Sequence, residues 1–288
     1  MGLARTFETM ADQAQKPARD ALPALLALGR PLVMGILNVT PDSFSDGGHF
    51  IDPTSAIAHA GEMAEQGADI IDIGAESTRP YGGAKPVSED DEKARLAPVL
   101  PAVLELGLPV SIDTTKAAIA SWALDQGAVI VNDVWGLQRD PDMAALVAQR
   151  GAPVIVMHNR AAADPAIDII AEVIAFFSRS LEIAQHAGIA RANIVLDPGI
   201  GFGKTPEQSI ICIARLAEFK RFGLPLLVGA SRKRFINSVT PSPPDERLGG
   251  SIASHLAAVA NGAAIVRAHD VAETVQALRV ASAIEAAR

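Results

Sequence analysis

The chain predicts a single (β/α)8 barrel, on three observations. Short β-branched apolar runs recur eight times, and each is followed by an Ala-rich amphipathic stretch. The runs are nearly continuous rather than alternating, which suits parallel strands buried on both faces. No shift in composition marks a second domain, and a train of strand–helix units of this length fills one barrel. An open, doubly wound sheet is the alternative reading of the same pattern.

Residues 1–28 read as an N-terminal extension or as a partly ordered helix capping the barrel floor, and residues 29–288 as the barrel domain. The eight strands are expected at Leu32–Leu37, Ile70–Ile73, Val110–Ile112, Val129–Val131, Val154–Met157, Ile194–Leu196, Leu226–Val228 and Ala264–Val266. Asp52-Pro53 opens the first helix with proline at its first position. Ile57, Ala60, Gly61 and Ala64 share one face of that helix, and Gly67 closes it. Comparable patterns predict helices over 89–105, 116–126, 140–150, 166–187, 207–222, 247–261 and 271–286. The stretch Ser238–Glu246 contains three prolines and reads as a mobile surface loop.

Composition excludes several classes. No apolar run approaches the roughly 18 residues a membrane span needs. Residues 1–27 mix acidic and basic side chains without an apolar segment, unlike a secretory signal. One cysteine, Cys212, excludes an intrachain disulfide and suits a cytoplasmic setting. A net charge of −8 without a basic run argues against nucleic acid. An acidic chain still binds anions when a few cations converge in one cleft.

In a barrel of this kind the active site lies at the C-terminal ends of the strands. Those ends carry Asn38, Asp72, Asp113, Asn132-Asp133, Met157-His158, Asp197, the run G-A-S-R-K-R-F and Arg267-Ala268-His269. One Asp at a strand end is more often a helix cap than a catalyst. Polar groups at all eight ends, aimed at one face, describe a site.

These residues sit in segments that carry a specific resemblance. M-G-I-L-N-V-T-P-D-S-F-S-D-G-G, D-I-G-A-E-S-T-R-P, L-D-P-G-I-G-F-G-K-T, G-A-S-R-K-R-F-I and A-A-I-V-R-A-H-D-V resemble the signature segments of the dihydropteroate synthase family of pterin-binding enzymes. They occur in the family's order, from about Arg30 onward. Tyr81 and Asn159 depart from it, standing where the family usually has Gly and Met.

The resemblance implies a reaction between a dihydropterin diphosphate and p-aminobenzoate, and a function in folate biosynthesis. An aromatic amine is already neutral at pH 7, so such catalysis is mainly positioning and electrostatics. By resemblance, Asp113, Asn132, Asp197 and Lys233 read the pterin ring, with Asp113 and Lys233 the catalytic pair. Met157 and Phe202 would pack the ring faces, or else are ordinary core. Asn38, Thr78, Arg79, Arg267 and His269 resemble diphosphate contacts, with Mg2+ held through Asn38. Thr78, Arg79, Phe202 and Ser231 would line the aminobenzoate pocket. The loops Asn38–Gly48 and Ser77–Gly83 would close over the site. The family also implies a homodimer and inhibition by sulfonamides.

Plainer readings stand beside these. Asp197 reads also as a turn residue, Arg267 as the ion-pair partner of Asp270, and Lys233 as one of a surface trio with Arg232 and Arg234. His158 faces the pocket or serves the structure, and Cys212 is a small buried hydrophobe. G-I-G-F-G-K-T is not a P-loop, because Pro198 stands where that motif needs its first Gly. Rival functions on the same barrel are a methyltetrahydrofolate-binding methyltransferase module, a noncatalytic pterin-binding protein and a Schiff-base aldolase using Lys233. The first two share pterin-reading acids and amides but need no diphosphate site.

Overall fold

A computed structural model describes residues 20–40, 52–76 and 87–287. The eight strands are β1 Leu32–Asn38, β2 Ile70–Gly74, β3 Val110–Asp113, β4 Ile130–Asp133, β5 Val154–Met157, β6 Ile194–Asp197, β7 Leu227–Val228 and β8 Ile265–Ala268. All pair in parallel, in the order β6-β5-β4-β3-β2-β1-β8-β7. Leu196 N donates to Pro225 O (3.0 Å), and Leu196 bridges Leu226 in parallel. That contact joins β6 to the entry of β7 and closes the ring, so the barrel holds and the open-sheet alternative falls. Several strands run one or two residues past the predicted runs, which takes Asn38, Asp113, Asn132, Asp197 and Arg267 inside the ladder.

The helices are α1 Ala21–Leu26, α2 Pro53–Glu65, α3 Glu89–Leu96, α4 Leu100–Leu104, α5 Ala117–Gln126, α6 Met143–Arg150, α7 Ile169–Ala187, α8 Pro206–Ala214, α9 Arg234–Val239, α10 Leu248–Ala260 and α11 Val271–Ala286. Side chains cap several of them. Asp52 accepts from Thr54 N, Asp168 from Ile170 N and Ala171 N, and Thr205 forms a reciprocal box with Gln208.

Three expectations need correction. The helix foreseen over 89–105 is two helices, α3 and α4, because Pro98 and Pro101 supply no N–H donor across the junction. The helix foreseen over 207–222 ends at Ala214 and continues as 3-10 turns over Leu216–Phe222. The Ser238–Glu246 stretch is fastened: α9 runs to Val239, Pro244–Glu246 forms a 3-10 turn, and Arg247 donates to Ser242 O at 2.7 and 3.1 Å.

Side chains alternate along each strand between two cores. Leu37, Ile71, Ile73, Ile112, Val131, Val156, Leu196, Val228 and Val266 face the helices. Leu32, Met34, Ile70, Ile130, Ile155, Val195, Leu227 and Ile265 fill the barrel interior. Leu22 of α1 joins this inner cluster at 2% exposure, so α1 packs against the floor of the barrel. Leu22→Ala is expected to destabilise the fold by about 2–5 kcal/mol, the usual cost of a truncated core leucine. Urea unfolding measures it, and a loss under about 0.5 kcal/mol, the range of surface substitutions, would mean that α1 is not part of the core.

Candidate active site inside the barrel mouth

The period of two that builds the floor also builds the site. Two residues beyond the inward-facing Ile70, Ile130, Ile155, Val195 and Ile265 stand Asp72, Asn132, Met157, Asp197 and Arg267. Asp113 is paired in register with Asn132, and Met157 with Asp197. One layer of the interior is therefore apolar, and the next layer up is polar.

Asp72 is the centre of that polar layer and is fully buried. Its Oδ2 accepts from Arg267 Nε at 2.6 Å and from Asn132 Nδ2 at 3.1 Å. Arg267 Nη2 donates in turn to Asp113 Oδ2 at 3.0 Å. Arg267 does not pair with Asp270, whose carboxylate is taken by Arg232 Nε at 3.1 Å. Asp72 Oδ1 and Asp113 Oδ1 are both buried, with no hydrogen-bond partner among the described residues. Burial, reinforced by the neighbouring Asp72 charge, raises the Asp113 pKa, and the Arg267 cation only partly offsets this. Position at a strand end alone assigns Asp72 no role. Its phase with Ile70 and Asn132 was the available signal.

The β6 loop supplies the opposite wall. Asp197 Oδ1 accepts from Gly199 N at 2.7 Å, so the turn role read in the sequence holds, and the acid is buried beside Met157. Gly199 has φ +65°, and a Cβ there would lie 2.0 Å from His158 O, so no other residue fits. Burial pushes Asp197 up to about 6, against the pull of Lys233 and Lys204. Lys204 is buried and donates to Gly199 O (2.9 Å), Phe202 O (3.2 Å) and His158 Nδ1 (2.6 Å), tying the loop to β5. His158 is therefore structural. Burial, then the Lys204 charge, lower its pKa to about 2, and its ring meets Phe176 edge-on at 4.8 Å.

Lys233 lies over the Phe202 ring, with Nζ 4.2 Å from the centroid. Its charge bears on both Asp113 and Asp197, so it belongs to the mouth and not to a surface trio. Phe202 is half-buried, whereas Met157 is buried beside Asp197. Ser231 Oγ accepts from His269 N at 3.2 Å and lies 3.0 Å from His269 Nδ1, which couples the β7 and β8 ends. The departing residue Asn159 is buried, and its Oδ1 accepts from Arg160 N (2.8 Å). Cys212 is fully buried.

Asn38 ends β1 opposite Gly74. Thr78, Arg79 and Tyr81, and both loops expected to cover the site beyond Thr40 and Glu76, lie outside the described residues. No three or more His, Cys, Asp or Glu among the described residues gather as a metal cage. A hard cation here would therefore rely on the Asn38 amide, substrate oxygens and water, a donor set that Mg2+ accepts. No helix among the described residues is long and apolar enough to cross a membrane.

A buried guanidinium bridging two acids, flanked by an amide, a third acid and a lysine, thus gathers at the mouth of a parallel barrel, the end where this fold places its sites. Residues 34–269 match the pterin binding enzyme family, and the chain belongs to it. It is 45% identical over 256 residues to the dihydropteroate synthase of Bacillus subtilis, covering 88% of this chain and 89% of that enzyme. Among solved structures, Xanthomonas albilineans dihydropteroate synthase with 4-aminobenzoic acid superposes with TM-score 0.85 at 43% identity, covering 90% and 94% of the two chains. The same enzyme in complex with 7,8-dihydropteroate gives TM-score 0.82 at 41% identity, covering 90% and 95%.

The raised Asp197 pKa has a sign that can be tested. Between its ordinary 3.8 and about 6, the folded chain keeps a proton that the unfolded chain releases. Stability contributed by this group therefore falls as pH rises through that window. Asp197→Asn is expected to flatten the slope of unfolding free energy against pH over this range. Urea titrations of both proteins check this, and parallel slopes would show that Asp197 carries no such proton.

Proposed function

We infer that this chain carries out the dihydropteroate synthase reaction. It joins 6-hydroxymethyl-7,8-dihydropterin diphosphate to p-aminobenzoate, giving 7,8-dihydropteroate and diphosphate in folate biosynthesis. The observation that carries the reading is the Asp72–Arg267–Asp113–Asn132 network, with carboxylate oxygens that find no partner among the described residues. A pterin edge is a row of N–H donors beside a carbonyl, which such acceptors and amides complement.

In the reaction the methylene C–O bond to diphosphate breaks and a C–N bond to the aminobenzoate nitrogen forms. The nitrogen then sheds a proton. Asp113, Asn132 and Asp197 hold the pterin edge, and Lys233 donates to the ring. Asp113 also stabilises the positive charge that develops on the pterin as diphosphate leaves. Met157 and Phe202 flank the ring. Arg267 and His269, with Thr78 and Arg79, take the diphosphate. Guanidinium carries five N–H donors, so Arg267 can serve the two acids and still meet an anion. Mg2+, contacting Asn38, would neutralise charge on the leaving group when bound.

Thr78, Arg79, Phe202 and Ser231 form the aminobenzoate pocket. Sulfonamides, which share an aromatic amine para to an acidic group, would compete there. We further propose that the chain works as a homodimer in the cytoplasm.

The direct test is a coupled assay of diphosphate release that requires both substrates. Asp113→Asn is expected to lower kcat about 100- to 1000-fold, as loss of one preorganised electrostatic contact does, with its far-UV circular dichroism unchanged. A variant with parental kcat would remove Asp113 from the chemistry.

Arg267→Ala would strand two buried carboxylates without their cation, so folding and binding losses would be mixed. Arg267→Lys keeps the charge and removes the fork. It is expected to weaken the pterin diphosphate about tenfold or more, in line with a lost charged hydrogen bond, with a much smaller effect on bare 6-hydroxymethylpterin. Calorimetry with both ligands decides, and equal losses would mean that Arg267 holds only the pterin half.

A further inference from the structure

A second buried charge cluster lies outside the pterin pocket, where β2 exits toward α3. Glu92 of α3 is fully buried, and its Oε2 is 2.6 Å from Lys116 Nζ. The same ammonium binds Glu76 Oε2, two residues past the end of β2. The other oxygen of Glu76, Oε1, accepts from Val87 N at 3.3 Å. Arg95 of α3 donates to Ala75 O at 2.8 Å. Gly74, just before, packs so tightly on Asp113 that a Cβ there would lie 3.1 Å from the Asp113 Cβ.

Glu76 and Val87 are the residues on either side of positions 77–86. One carboxylate thus ties both ends of that segment to each other, and through Lys116 to α3 and the start of α5. A triad of two acids and one base is an expensive way to hold a helix, since apolar packing does so at lower desolvation cost. Leu96 already anchors α3 in the core. What the triad adds is direction. Side chains with fixed hydrogen-bond vectors set where the backbone enters and leaves, which apolar contacts do only loosely.

We infer that Glu76, Lys116 and Glu92 form a positioning clasp that sets p-aminobenzoate and diphosphate affinity from outside the pocket, touching neither ligand. The inference rests on the functional reading above, which gives Thr78 and Arg79, two and three residues past Glu76, to those ligands. On that reading the pterin ring is held by β3, β4, β5 and β6 residues with Phe202 and Lys233, none of which the clasp carries.

Two variants separate positioning from bulk stability. Glu76→Ala opens the clasp but leaves Lys116 paired with Glu92, so no buried charge is stranded. Glu92→Gln leaves Lys116 paired with Glu76 and keeps an acceptor in place. In Glu76→Ala, KM for p-aminobenzoate and for the pterin diphosphate is expected to rise about tenfold or more, the effect of a lost charged contact. Its Kd for bare 6-hydroxymethylpterin, by calorimetry, should match the parent, and Glu92→Gln, which keeps both contacts of Glu76, should raise the same KM values by less than Glu76→Ala does. Amide exchange at Val87, followed by NMR, should quicken in Glu76→Ala alone.

Equal losses in KM and in bare pterin affinity would overturn the clasp, as would equal losses in the two variants or an unchanged KM. A parent that releases no diphosphate with both substrates would instead overturn the functional reading. Val87 exchange, which needs no turnover, would still judge the clasp: unchanged exchange in Glu76→Ala overturns it.

Discussion

Asp72 lies inside a closed barrel, fully buried, and a lone carboxylate there would be untenable. Arg267 answers it from β8, 195 residues away, reaching across β1 to place Nε at 2.6 Å. The rest of the mouth follows from that pair. The guanidinium is aimed by Asp72, and its second face then meets Asp113. Asn132 is aimed by the same carboxylate. Arg267, Asp113 and Asn132 are each oriented by a neighbour and not by packing alone, the kind of preorganisation an electrostatic site needs. Removing either member would leave a buried charge, so the pair holds the two edges of β1 in one arrangement.

The floor below sets the height of this layer. Side chains alternate every residue along a strand, so an inward position recurs every second one. Ile70, Ile130, Ile155 and Ile265 seal the lower interior, with Leu22 as a plug. Asp72, Asn132 and Arg267 are then forced to the next inward level. The lower layer excludes water from beneath, and exclusion of water is what raises Asp113 and Asp197 above ordinary carboxylates.

Much of this was legible in the sequence, because the signals were periodic or local. The continuous apolar runs gave eight strands, and the glycines after helices marked their ends. The polar residue past each run pointed to the mouth. Asp72 is missed by strand-end position, because inward phase and not the strand end marks it. The Arg267–Asp270 alternative failed because sequence proximity is a poor guide on β8. Three residues of strand and turn carry Asp270 out to Arg232, while Arg267 points inward. His158 was ambiguous because strand-end position does not distinguish the mouth from the packing of the β6 loop. Only the Lys204 contact resolves it. The split of the 89–105 helix was written in Pro98 and Pro101 but lost beneath a good apolar period.

The triad Glu76–Lys116–Glu92 had no sequence signal at all, since its members lie on three elements and only folding joins them. Its relation to the inner network is one of division. Strand side chains, fixed by the ladder, suit a rigid ring that must be read edge-on. Loop residues suit a tail and a second substrate that must enter and leave. A loop can present groups with strand-like accuracy only if its ends are held, and hydrogen-bonded charges hold a backbone in a defined direction. The barrel therefore carries two buried ionic clusters with different tasks. One aims the groups inside the mouth, and the other joins Glu76 to Val87, the two residues that flank positions 77–86.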